Sequence, residues 1–85
     1  MAVTLRTALN RVREQLQQDE YWRGRAVATI TPQNSIQVKL PGLDTFWMLS
    51  HDRFVTRMNN LLWDLGYSGR ALNAEVYLFT SRGDE

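Results

Sequence analysis

Ile36, Val38 and Leu40 alternate with Gln37 and Lys39, and this short run constrains the fold more than any other feature of the chain. Alternation at a period of two describes a strand with one buried face and one wet face. Such a strand needs neighbours in a sheet and a layer to cover its apolar side. Arg25-Ala26-Val27-Ala28-Thr29-Ile30-Thr31 reads as a strand just before it, and Pro32-Gln33-Asn34 between them is a turn signal. The two form a hairpin.

The covering layer is legible on both sides of the hairpin. Thr4 is a good N-cap for a first helix running to about Asp19, in which Leu5, Ala8, Leu9, Val12 and Leu16 share a stripe roughly 100° wide. The acidic pair Asp19-Glu20 opposes the helix dipole and marks the end, as a solvated terminus. Pro41-Gly42 closes the second strand, and Thr45-Phe46-Trp47-Met48-Leu49 is expected as a third, apolar on both faces. Ser50 is then the N-cap of a second helix from about His51 to Leu65, with Asp52 in its first turn and Gly66 as its C′ residue. Phe54, Met58, Leu61, Leu62 and Leu65 supply its buried stripe. After a Tyr67-Ser68-Gly69-Arg70 loop, Asn73 to Thr80 is the last strand, and 81–85 is a frayed polar tail.

The expectation is one α+β domain over 1–85, a two-layer sandwich of order α-β-β-β-α-β with both helices on one face of a mostly antiparallel sheet. The leading α-β-β-β-α order resembles that of double-stranded RNA-binding domains. The resemblance is one of element order only: where that family has a lysine-rich helix start, this chain has Ser50-His51-Asp52-Arg53.

Composition narrows the chemistry. There is no cysteine, which removes disulfides, thiolate metal sites and a thiol nucleophile, and fits a reducing compartment; the cytoplasm is the expected location. No stretch approaches the roughly 20 apolar residues of a membrane span, and the first residues lack a signal-peptide core. His51 is the only histidine and the acids are scattered, so neither a histidine-rich nor a carboxylate metal site is indicated, and no cofactor is expected. Ser50-His51-Asp52 holds the residue types of a hydrolytic triad, but neighbours on a helix point about 100° apart and cannot form the relay. Gly66-Tyr67-Ser68-Gly69-Arg70 follows a helix and precedes a strand, the reverse of a phosphate-binding loop, and reads as a helix stop and a turn. The chain is expected not to be an enzyme.

What remains is surface. Net charge is only +1, yet nine arginines stand against the single Lys39. Arginine suits bidentate contacts with carboxylate or phosphate, although genome composition gives the same bias. Arg6, Asn10, Arg13 and Gln17 form a polar ridge on the first helix, offering hydrogen-bond donors and two cations. Trp63 points away from the stripe of the second helix, beside Thr56, Asn59 and Asn60, unless it folds under the Tyr67 loop. Arg53 and Arg57 lie on the flank of the same helix.

Taken as a whole chain, the sequence therefore reads as a small binding protein that covers a surface of a larger macromolecule, with a protein partner met by Arg6, Asn10, Arg13, Arg53, Arg57 and Trp63. Regulators and inhibitors, including those phages and plasmids use against host defence systems, belong to this class. The alternative is a nucleic-acid-binding protein using the first helix or an open sheet face carrying Arg25, Lys39, Trp47 and Tyr77, with Gln37 and Phe79 beside them. A third reading is a structural homo-oligomer, such as a homodimer, joined through the apolar third strand or an uncovered sheet edge.

Overall fold

The computed structural model describes residues 3–41, 45–73 and 75–82, with the backbone alone described for 45–51. Helix α1 spans Leu5–Gln18, strands β1 and β2 span Val27–Ile30 and Ile36–Lys39, helix α2 spans Thr45–Asp64, and strands β3 and β4 span Tyr67–Asn73 and Val76–Ser81. The four strands form one sheet in the order β1-β2-β4-β3, and every neighbouring pair is antiparallel. Both helices pack on it, α1 beside β1 and α2 beside β3. This is the expected α+β two-layer sandwich.

Register decides which residues meet the helices, because directly opposed residues share a face. One row runs Ala28, Val38, Tyr77, Ala71 across the sheet, and the next runs Ile30, Ile36, Phe79, Gly69. Ala28, Val38, Ile36 and Phe79 are buried in a single cluster with Ala8, Leu9, Val12 and Leu16 of α1 and Phe54, Met58 and Leu62 of α2. These rows therefore form the covered face. The other face carries the rows Val27, Lys39, Val76, Asn73 and Thr29, Gln37, Leu78, Arg70.

Thr4 caps α1 as expected, its Oγ1 accepting from the Thr7 N–H at 3.2 Å. Gly66 ends α2 with a φ of 97°, in the left-handed region that glycine enters without strain.

Three expectations are corrected. Thr45-Phe46-Trp47-Met48-Leu49 is the start of α2, which makes that helix 20 residues long and puts Ser50 and Asp52 inside it, not at its cap. A short apolar run has no periodicity of its own to separate strand from helix, and extending an existing helix is easier than starting a strand with no loop between. The missing strand is β3: Tyr67-Ser68-Gly69-Arg70 is strand, not loop, so the order after the hairpin is helix, strand, strand. This removes the likeness to a double-stranded RNA-binding domain. Finally, Ser81 belongs to β4 opposite Tyr67, and the Arg82 N–H donates to the Gly66 carbonyl at 3.0 Å. Of the expected frayed tail only 83–85, like Gly42 at the expected end of the second strand, lies outside the described residues.

Candidate functional site

Among the described residues, the pocket under the sheet leaves no room for a ligand. The pocket between Val38, Leu40, Phe54, Val55, Met58, Tyr77 and Phe79 has a volume of about 0 Å³ for a water-sized sphere. An open groove of about 250 Å³ runs between α1 and the start of β1, and its only polar side chains are Arg13 and Gln17. Among the described residues no three His, Asp or Glu side chains gather where they could hold a metal ion. Ser50, His51 and Asp52 are consecutive positions of α2. No helix among the described residues is long and apolar enough to cross a membrane.

The structure separates Arg13 of the α1 ridge from Trp63. Arg6 and Asn10 are exposed. Arg13 is engaged within the chain: its Nε and Nη2 donate to the Ala28 carbonyl at 3.3 and 3.0 Å. Ala28 lies in β1, so this ridge flanks the β1 end of the sheet. On α2, Asn59 reaches β3, its Oδ1 lying 2.8 Å from the place a Cβ on Gly69 would occupy. Trp63 follows Asn59 by four residues, one turn along the same flank. Arg13 and Trp63 thus flank opposite edges of the sheet, whereas the start of α1 lies by the end of α2, the Val3 N–H donating to the Leu65 carbonyl at 3.1 Å.

Trp63 is 53% exposed and does not fold under the chain that follows it. The Arg82 guanidinium lies 4.2 Å from its ring centroid, covering one face of the indole. Thr56, Asn59 and Asn60 beside it are exposed. Arg82 falls in the tail expected from the sequence; its backbone bond to Gly66, just past the end of β4, is what places it beside Trp63, and β4 carries no alternation that points to it. Arg53 is exposed, and Arg57 reaches Asp19 of the α1 terminus, Nη1 to Oδ2 at 3.6 Å.

The aromatic open face is not assembled. Tyr77 and Phe79 lie on the covered face, Phe79 fully buried, and Trp47 belongs to α2. Arg25 sits before β1 with its guanidinium 4.6 Å from the Tyr21 ring centroid. What the open face does carry is Lys39 and Arg70, with Val76 and Leu78 of β4 between them, Thr29 and Gln37 on the β1 side, and no acid in the two rows. Burial pushes the Tyr77 phenol above its ordinary pKa, and the charge of Asp52 adds to the rise.

The fold and these surfaces define a small α+β domain with one covered and one open sheet face. No protein-family model, curated protein or solved structure matches the chain.

Proposed function

We propose that this chain is a non-enzymatic binding protein that acts by covering a surface of a larger macromolecule, with another protein as the partner. The observation that carries this reading is the exposed Trp63, held against Arg82 among short uncharged polar side chains. A large aromatic fixed in place before binding loses little freedom on association, and tryptophan and arginine are both enriched where binding energy concentrates. Regulation or inhibition of that partner, in the manner of the small proteins phages and plasmids direct at host defence systems, is the role such a surface serves.

The test is capture from a lysate treated with nuclease, comparing the wild-type chain with Trp63→Ala. A stoichiometric protein partner is expected with the wild type. Its recovery should drop at least tenfold with the variant, as losing a hot spot of about 2 kcal/mol requires. Melting temperatures should agree within about 4 °C, the shift that roughly 1 kcal/mol produces in a domain of this size. Equal capture by both proteins would remove Trp63 from the site. Capture abolished by nuclease would favour the second reading, nucleic acid on the open face with Lys39 and Arg70, whose affinity would fall steeply with salt.

A further inference from the structure

The two edges of the sheet are treated differently. In an antiparallel ladder, residues alternate between bonding the neighbour and turning their N–H and C=O outward. The Thr31 N–H donates to the Ser35 carbonyl, so on β1 it is Ala28 and Ile30 that face outward, and Arg13 occupies the Ala28 carbonyl. That edge is four residues long and carries its own cap. On the other side, the Arg82 N–H donates to Gly66, which turns the backbone groups of Tyr67, Gly69 and Ala71 away from β4. That edge is seven residues long, and among the described residues nothing bonds to those three outward positions. It has no proline and no charge at an outward-bonding position, and Leu72 at its far end is 50% exposed. A long edge without these devices is a template for another strand.

We propose that β3 pairs antiparallel with β3 of a second copy of this chain, about a two-fold axis through Gly69, to give a continuous eight-stranded sheet. The edge is its own complement in this register. Gly69 faces Gly69 of the second copy and Tyr67 faces Ala71 of the second copy, so all three outward residues on each strand find backbone partners. Between them, Arg70 stands opposite Ser68 of the second copy. Sliding the strands by one step to pair Ala71 with Gly69 would set the two Arg70 side chains directly opposite each other, which disfavours that register. A two-fold axis makes the contact closed, so pairing stops at the dimer.

Sedimentation equilibrium from micromolar to about 1 mM chain, a range chosen to reach the weak end of specific affinities, measures the mass. Amide hydrogen exchange over the same range reads the edge. A dimer is expected, with the Gly69 and Ala71 amides slowing at least tenfold as it forms. Ala71→Pro deletes one outward N–H and no hydrogen bond within the chain, so it should be monomeric with an unchanged circular dichroism spectrum. A monomer throughout the range would overturn the proposal. So would a dimer whose Gly69 and Ala71 amides still exchange freely, or a folded Ala71→Pro protein that dimerises as well as wild type. If Ala71→Pro does not fold, the exchange of the wild-type amides decides alone.

Discussion

Gly69 stands directly opposite Phe79 across the β3–β4 ladder, and the Phe79 ring fills the space that a side chain on Gly69 would need. The ring and the Asn59 side chain together close over this backbone position. Phe79 is fully buried between the sheet and α2, so it cannot swing aside without opening the core. Gly69→Ala should therefore cost about 1–3 kcal/mol, as overpacking a filled core does. Thermal melting checks this. Gly24→Ala is the contrast: Gly24 has φ 81° but nothing within 4 Å of a new Cβ, so only the backbone strain of about 1–2 kcal/mol applies.

Arg13 and Arg6 share a helix face and differ in what they do. The Arg13 guanidinium satisfies the outward Ala28 carbonyl of the β1 edge, while Arg6 is exposed and makes no such bond. Arg13→Ala should lose about 1 kcal/mol, a charge-assisted hydrogen bond reduced by its partial exposure. Arg6→Ala should stay within about 0.5 kcal/mol of wild type. Urea denaturation of the two variants measures both values.

The contrast between these arginines shows where sequence reading works in this chain. Elements whose own residues carry a period were legible: the α1 stripe, the Ile36–Lys39 alternation and the Gly66 stop all stand in the structure. Elements defined by what they touch were not. β3 has one buried side chain in seven residues and contains a glycine, so neither alternation nor propensity marks it; its pairing with β4 does. Without β3, the phase of the last strand was open, and Tyr77 and Phe79 could be placed on the wrong face. Helix periodicity sets Trp63 opposite the buried stripe but leaves open whether it folds under the chain that follows; the exposed ring, with Arg82 from just past the end of β4 stacked on it, settles that, and no local pattern reaches Arg82.

Asp19 turns out to hold a junction together. Its backbone N–H donates to the Leu16 carbonyl as α1 ends, and its Oδ1 accepts from the N–H groups of Tyr21 and Trp22 at 2.9 Å each. The acid placed at an unfavourable helix end thus caps the turn that follows it, which carries the fully buried Trp22 into the core. Asp19→Ala should cost about 1–2 kcal/mol, the value of losing a helix-type cap. Asp19→Asn keeps an acceptor for the two N–H groups and loses the charge facing the half-exposed Arg57, so it should lose under about 1 kcal/mol. Equal losses for the two variants would assign the effect to the ion pair instead of the cap.

Tyr67 makes stability depend on pH at the alkaline end. Its ring is buried, its hydroxyl donates to the Val3 carbonyl at 2.8 Å, and burial raises the phenol above its ordinary pKa of about 10. The folded chain then keeps this proton at a pH where the unfolded chain has lost it, so the unfolded state binds fewer protons and stability falls as pH rises. The contribution is complete below about pH 10 and is lost as pH climbs from there through the raised folded value. Tyr67→Phe removes the titrating group along with its hydrogen bond. It should be less stable by about 1 kcal/mol at neutral pH, since the Val3 carbonyl loses its donor. Above pH 10 its stability should fall less steeply than that of the wild type, with the raised Tyr77 phenol still contributing to the residual slope. Urea midpoints measured from pH 7 to 11 distinguish the two: converging curves bear out the linkage, and parallel curves would show that the Tyr67 phenol titrates alike in both states.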